Sequence, residues 1–282
     1  MLSYLHAYHA GNFADVLKHT CLIHTLDYLA QKSKPYFYLD THSGPGLYRL
    51  DDSESQKNCE YQNGIGPLWG AQNLPEAIER YRSVIQNCNQ ANSETDLTYY
   101  PGSPWLAAEL SRPQDRLSFC ELHPREREVL TQNFQRDRRI KVFHQDGFQT
   151  AIATLPPKER RGLVLIDPPY EVKQDYQRVV EVLTACQKRF ATGTYAIWYP
   201  VVKRSTIDTL LSQLKQSGIK NIQVFELGLQ ADTSERGMTS SGMILINPPW
   251  TLWRAMEASL PFLAKQLGGE KGVYRMEQLV RE

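Results

Sequence analysis

Seven short runs of β-branched, aromatic and other apolar residues recur along the chain, at 36–40, 117–122, 141–146, 162–167, 194–199, 221–227 and 243–247. Each has the length of a strand and ends in a polar or Gly/Pro-containing turn. Between several of them apolar positions repeat at helical spacing: over 126–134 after the second run, 176–190 after the fourth and 205–217 after the fifth. Short buried strands alternating with helices predict a mostly parallel sheet covered on both faces. The last two runs are joined by a long loop, 228–241, without helical periodicity. A pair that lacks a crossover helix is expected to be antiparallel.

One interval breaks the rhythm. Residues 41–116 separate the first two runs, whereas a plain βαβ unit occupies roughly 30 residues. Within the interval, 74–87 reads as an amphipathic helix and 61–69 as another, while 51–58 and 88–96 are polar and loop-like. The expected organisation is a main domain over residues 1–50 and 99–282, with a small helical insertion over 51–98. The main domain resumes at Tyr100-Pro101-Gly102-Ser103-Pro104, where Ser103 is placed to cap a helix that has Pro104 in its first turn. Five strands in α/β alternation followed by an antiparallel sixth and seventh match the class I methyltransferase fold: α/β, Rossmann-like, seven-stranded, with the last strand antiparallel.

Composition narrows the possibilities further. The net charge over 282 residues is only +1, so any contact with nucleic acid must come from local patches rather than a global field. The cysteines (Cys21, Cys59, Cys88, Cys120, Cys186) are scattered, odd in number and form no CxxC pair. That pattern argues against a disulfide framework or a cysteine-ligated zinc and fits a reducing compartment. The N-terminal stretch is punctuated by His, Tyr and Asn and lacks the apolar core of a signal peptide. No apolar run approaches the ~20 residues that span a bilayer. The expectation is a soluble, cytoplasmic protein with no membrane partner, and a monomer, since no dimerisation element is visible.

Candidate chemistry sits at the ends of the strands. Asp40-Thr41-His42-Ser43-Gly44-Pro45-Gly46 offers an acid and two glycines spaced for close backbone approach. A dinucleotide fingerprint would need a third glycine where Arg49 stands, and an acid ~20 residues on. A glycine turn without that phosphate-binding start suits S-adenosylmethionine, which carries an amino-acid moiety and a ribose but no phosphate. Glu121, ending the second strand, is the natural acceptor for ribose hydroxyls. Asp146-Gly147, closing the third, is placed to accept from an adenine amino group.

The strongest signal is Asp167-Pro168-Pro169-Tyr170 after the buried fourth strand. The exocyclic nitrogen of an aminopurine is a poor nucleophile because its lone pair is delocalised into the ring. Acceptors aimed at its hydrogens free that lone pair, and Asp167 together with the Pro168 carbonyl can provide them. The two prolines stiffen the turn and fix where those oxygens point. Tyr170 supplies an aromatic face for an extruded base, a contact of roughly 1–3 kcal/mol. A second copy, Asn247-Pro248-Pro249-Trp250, follows the last run. If that strand is antiparallel, its end lies at the opposite edge of the sheet, so this copy is expected to be structural.

The segments SYLHAYHAGNFADVLKH, YLDTHSGPGLY, YYPGSP, ELHP, DGF, LIDPPYE, FATGTYAIWYPV and RGMTSSGM together resemble the RlmJ family of 23S ribosomal RNA adenine-N6 methyltransferases, over nearly the whole chain. The resemblance implies S-adenosyl-L-methionine as donor, S-adenosyl-L-homocysteine as product, and adenine 2030 of 23S ribosomal RNA as target. Its RNA partner is expected before ribosome assembly is complete. It further implies Asp167 as the catalytic acceptor, with His19, His42, Ser103, Glu121, Asp146, Gly147 and Asp167 at the cofactor. Tyr4 matches a residue that meets the RNA, and His6 and Lys18 match the N-terminal motif beside the active site. Ser43-Gly44-Pro45-Gly46 departs from the family's more usual Ala-Gly-Ala-Gly, which bears on local turn geometry.

Other readings are weaker. His6, His9 and His19 invite a metal site, but no Cys or carboxylate completes a ligand set, and methyl transfer from a sulfonium needs no metal. Of the basic clusters at 136–141, 158–161, 188–189 and 203–204, most read as solvated faces. Lys203 and Arg204 follow the fifth strand near the expected active edge and, with Arg236, are candidates to hold RNA phosphates. A DNA adenine-N6 or protein-glutamine methyltransferase would use a related loop, although no DNA-recognition domain is visible. A catalytically silent RNA-binding module would not need the complete Asp167 loop.

Overall fold

The computed structural model describes residues 5–233 and 237–282; Tyr4 and Arg236 lie outside them. The chain opens with α1 (Phe13–Ala30), β1 (Phe37–Asp40) and β2 (Leu47–Arg49). Three helices follow, α2 (Ser53–Asn58), α3 (Gly66–Trp69) and α4 (Glu76–Ala91), and then β3 (Tyr99–Pro101). The α/β alternation runs through α5 (Ser103–Leu110), β4 (Arg116–Cys120), α6 (Pro124–Phe134), β5 (Ile140–Phe143) and α7 (Gly147–Thr154). It continues with β6 (Gly162–Ile166), α8 (Gln174–Arg189), β7 (Thr194–Val201) and α9 (Arg204–Gln216). The chain closes with β8 (Ile222–Gly228), β9 (Ser240–Ile246), α10 (Leu252–Gly268) and β10 (Val273–Val280).

All seven expected strands form, in the order β8-β9-β7-β6-β1-β4-β5, and β10 adds an eighth strand beyond β8. Strands β5, β4, β1, β6 and β7 are parallel, and β9 lies antiparallel between β7 and β8. This is the class I methyltransferase sheet. The period-2 rule shows in the core: Tyr36 and Tyr38 pack on one face with Leu163 and Leu165, while Phe37 and Leu39 pack on the other with Val164 and Ile166. Both faces are therefore covered, the first by α1, α4, α5 and α10, the second by α7, α8 and α9. The eighth strand has no such continuous apolar signature, because only its inner positions are covered at the sheet edge.

Helix α1 also escapes a search for amphipathic stripes. Asn12 caps it, its side-chain oxygen accepting from the Ala14 and Asp15 amides at 2.9 and 3.0 Å. Beyond the cap it is buried nearly all round, at Val16, Leu17, Cys21, Leu22 and Leu26, because β9, α5, α4 and α10 enclose it. A helix packed on every side carries no polar face to reveal its period. Its first turns place Asp15, Lys18 and His19 against the ends of the parallel strands.

Residues 51–98, expected as a helical insertion, carry α2, α3 and α4. They leave and rejoin the chain through the antiparallel β2–β3 pair, where Tyr48 faces Tyr100. Tyr81 and Ile85 of α4 are fully buried in the same apolar cluster as α1. Among the described residues, no helix is long and apolar enough to cross a membrane.

Candidate active site

The parallel strands β1, β4, β5 and β6 bring Asp40, Glu121, Asp146 and Asp167 to one edge of the sheet, where open α/β sheets hold ligands. The loop after β1 is braced from below and from the side. Asp40, fully buried, accepts from the Ser103 hydroxyl at 2.6 Å and the Tyr38 hydroxyl at 3.0 Å. Burial pushes its carboxyl up to about 7, against those hydrogen bonds. Gly44 and Gly46 both sit at positive φ (60° and 86°), the region that favours glycine. The Gly44 amide donates to Glu121 Oε2 at 2.8 Å, and the His123 amide to Oε1 at 2.6 Å. Glu121 therefore shapes the loop while each of its oxygens keeps accepting capacity.

Two of the expected residues take different local roles. Ser103 does not cap α5: Gly102 occupies the N-cap, and the Ser103 hydroxyl is directed to Asp40 instead. The partner that captures it comes from a strand distant in sequence. Gly147 does not line the cavity described below; a Cβ there would lie 1.9 Å from the Thr41 carbonyl oxygen. Its missing side chain lets the start of α7 press against the β1 loop.

A cavity of about 340 Å³ opens above these strand ends, lined among others by His19, His42, Ser103, Glu121, Asp146 and Asp167. Asp146 caps α7, its Oδ1 accepting from the Phe148 and Gln149 amides at 2.9 and 3.1 Å. Its Oδ2 accepts from Arg178 at 2.5 Å. Burial would raise the Asp146 carboxyl, but Arg178 and the two amides hold it below the usual range. Arg178 itself lies over the Phe148 ring, 4.5 Å from its centroid. His42 hydrogen-bonds Thr41 through Nδ1 at 2.8 Å, and burial pushes it down to about 4, so it is a neutral imidazole near pH 7. Burial likewise pushes His19 down to about 3. Its Nδ1 is hydrogen-bonded to the Tyr100 hydroxyl at 2.8 Å, whereas Nε2 is buried with no hydrogen-bond partner among the described residues.

A second cavity, of about 530 Å³, adjoins the first and shares His6, Lys18, Asp167, Pro169 and Trp198 with it. Its wall includes Tyr170, whose ring lies 4.4 Å from that of Tyr176 and 5.9 Å from that of Trp198. The Tyr170 hydroxyl donates to the Trp198 carbonyl at 2.7 Å, which holds a φ of 51° at Tyr170. At the junction, Lys18 Nζ bridges Asp15 Oδ1 at 2.9 Å and Asp167 Oδ2 at 2.7 Å. Asp15 Oδ2 in turn accepts from the Gly11 amide at 2.9 Å and meets His6 Nε2 at 2.9 Å. Burial alone would raise the Asp15 carboxyl, but the His6 and Lys18 side chains hold it well below the usual carboxylate range. His6, His9 and His19 thus point to separate partners, Asp15, Glu60 and Tyr100.

Asp15, Trp198, Arg178 and Tyr100 are among the residues that sequence reasoning left unassigned. Asp15 had a signal, three and four positions before Lys18 and His19 on one helix face; the others are joined to the site only by long-range packing. The basic pair after β7 divides. Arg204 is engaged by the buried Glu226 at 2.9 Å and by Asp232 at 2.6 Å, so it is a structural residue and not a free phosphate contact. Lys203 and Lys173 both line the second cavity, and among the described residues neither has an ion pair. The look-alike loop lies at the far edge, since β9 is antiparallel to β7. Asn247 Nδ2 donates to the Ala191 and Gly193 carbonyls, both at 2.8 Å, from a backbone at φ 49°. Asn247→Ala is expected to lower stability by about 1–2 kcal/mol and leave catalytic turnover within about two-fold, read by thermal unfolding and a turnover assay. A loss of activity as deep as that from changing Asp167 would overturn the structural role.

The sequence profile of a family described as "Ribosomal RNA large subunit methyltransferase D, RlmJ" matches residues 33–280. Ribosomal RNA large subunit methyltransferase J of Haemophilus influenzae is 52% identical over 283 residues, covering 100% of both chains. The protein of the same description from Escherichia coli is 48% identical, covering 95% of this chain and 94% of its own. A crystal structure of a Legionella pneumophila protein superimposes with a TM-score of 0.88 at 40% identity, covering 96% of this chain and 98% of the other.

Proposed function

Since this chain belongs to the RlmJ family of ribosomal RNA large subunit methyltransferases, we propose that it transfers a methyl group from S-adenosylmethionine to N6 of an adenine in 23S ribosomal RNA. The observation that carries this reading is the junction of two cavities at Asp167. The first has the donors and acceptors that an amino acid joined to a nucleoside requires. The second is walled by Tyr170, Tyr176 and Trp198, aromatic faces suited to an extruded base. Adenine 2030 as the target rests on the family resemblance.

The first cavity fits the cofactor on its own chemistry. His19 Nε2 is a buried polar atom without a hydrogen-bond partner among the described residues, and Glu121 and Asp146 retain acceptor positions for a diol and an amino group. When bound, the cofactor supplies an electrophilic methyl group on a sulfonium. Asp167 Oδ2 is engaged by Lys18, which leaves Oδ1 to accept one hydrogen of the target amino group. The Pro168 carbonyl is the second acceptor, held in place by the Pro168-Pro169 turn. With both hydrogens engaged, the nitrogen lone pair is drawn out of the ring and toward the methyl carbon. The cofactor, when bound, would supply the methyl group that this nitrogen accepts, and the surplus proton on nitrogen would leave toward Asp167 or solvent.

Tritiated methyl transfer onto unmodified 23S ribosomal RNA, with DNA as the control, tests the substrate class. Mapping of the modified nucleotide then tests the target. Labelling of DNA in preference to RNA, or of a nucleotide other than adenine, would sink the reading. Lys203 and Lys173 at the mouth of the second cavity are assigned to RNA phosphates. Each replacement by Ala is expected to weaken RNA binding and lower the slope of log affinity against log salt by about 0.7–0.9 per contact. A slope unchanged in both variants removes them from the interface.

A further inference from the structure

Tyr81 on α4, Tyr100 on β3 and His19 on α1 form a buried chain: Tyr81 and Tyr100 hydroxyls lie 3.1 Å apart, and the Tyr100 hydroxyl lies 2.8 Å from His19 Nδ1. The three residues are almost completely excluded from solvent. Two proton arrangements are open to such a chain. If Nδ1 carries the hydrogen, it donates to Tyr100, Tyr100 donates to Tyr81, and the Tyr81 hydroxyl hydrogen ends in an apolar cluster with no further acceptor among the described residues. An unsatisfied buried donor is costly. The Nε2 lone pair would also face the Asp15 carboxylate, whose Oδ1 is 3.9 Å away. In the reverse arrangement Tyr81 donates to Tyr100, Tyr100 donates to Nδ1, and every hydroxyl hydrogen is satisfied. Nε2 then carries the hydrogen, facing an anion at a distance too long for a hydrogen bond.

We infer that Tyr81 and Tyr100 are positioning residues that hold His19 as its Nε2–H tautomer, so that the first cavity offers a neutral hydrogen-bond donor to an acceptor atom of the cofactor. The methionine carboxylate is the acceptor of matching chemistry. The inference rests on the cofactor reading of that cavity. It also gives the segment 51–98 a functional tie: α4, with no residue on the cavity wall, sets the hydrogen-bonding character of a residue that is. Burial supports a neutral ring, because it strongly disfavours the imidazolium at His19.

Long-range ¹⁵N–¹H correlation spectra of the ¹⁵N-histidine-labelled full chain test the tautomer directly, with His19 assigned by its absence in His19→Gln. The expected result is a protonated Nε2 and an unprotonated Nδ1. Tyr100→Phe should shift His19 toward a mixture of tautomers and weaken S-adenosylhomocysteine binding, read by calorimetry, about ten-fold. Tyr81→Phe should act in the same direction with a smaller loss, about three-fold. A protonated Nδ1 in the unaltered protein overturns the inference, as does an unchanged tautomer in Tyr100→Phe. Should Tyr81→Phe fail to fold, the unaltered protein and Tyr100→Phe still decide. An unaltered protein that shows the Nε2–H form yet binds no S-adenosylhomocysteine overturns the cofactor reading, a result distinct from failure of the relay.

Discussion

Replacing Asp167 by Asn is expected to lower turnover about a thousand-fold while leaving S-adenosylhomocysteine affinity within about three-fold. The substitution is isosteric, so the loop keeps its shape. It exchanges one acceptor oxygen for an NH₂ donor and removes the charge that Lys18 neutralises at 2.7 Å. If the amide oxygen turns toward Lys18, its NH₂ meets the amino hydrogens of the target base and repels them. If it turns the other way, Lys18 loses its acceptor. Neither orientation provides both functions of the carboxylate. The effect therefore belongs to turnover under single-turnover conditions and not to cofactor binding. A variant that retains turnover within about ten-fold would show that the amino hydrogens are engaged elsewhere.

Lys18→Met is expected to have the largest effect on stability, a loss of about 3–5 kcal/mol, together with loss of activity. Lys18 is the buried cation between Asp15 and Asp167, and Asp15 is only 1% exposed. Removing it leaves a buried carboxylate hydrogen-bonded to the Gly11 amide and His6, with no fixed cation beside it among the described residues. The pH dependence follows from the direction of the shifts. Asp15 is held well below its usual value, so its contribution is present above its unfolded pKa of about 3.9 and is lost as pH falls through the lower folded value. Lys18 is raised above its usual value, so its contribution is present below its unfolded value and is lost only at strongly alkaline pH. The stability gap between unaltered protein and variant should therefore be widest near neutrality and narrow as the pH falls below about 4. Denaturant unfolding at several pH values reads it, and Asp15→Asn in the Lys18→Met background should recover part of the loss. A gap under about 1 kcal/mol at pH 7, or one that does not change with pH, would contradict the bridging role.

Both predictions turn on a carboxylate and an ammonium that stand 149 residues apart in the chain. Asp167 was legible without a structure, because a buried strand followed by Asp-Pro-Pro-Tyr is a local pattern with a chemical rationale. Glu121 and Asp146 were legible for the same reason, each ending a strand of recognisable composition. Lys18 entered only through the family resemblance, His6 was otherwise raised only as a metal candidate, and Asp15, which joins them, was not singled out. Arg204 shows the converse. Its position after β7 suggested a phosphate contact, but its guanidinium is engaged by Glu226 and Asp232, partners from β8 and the loop beyond it.

The chain's own pattern of short apolar runs and intervening helical periods was enough to determine the α/β class, the seven strands of the common sheet and the place of the Asp167 loop at the end of a buried parallel strand. Those properties depend on neighbours within a few residues, where strand alternation, helix period and turn chemistry act. Tertiary structure alone decided what packs against what. The all-round burial of α1, the half-covered edge strand β10, the capture of Ser103 by Asp40 and the Tyr81–Tyr100–His19 chain each need contacts that sequence spacing does not encode. It also fixed the direction of β9, which carries Asn247 to the opposite edge of the sheet from Asp167. A hydrogen bond acts over about 3 Å, so which donor meets which acceptor is settled only once the backbone has brought distant segments within that range.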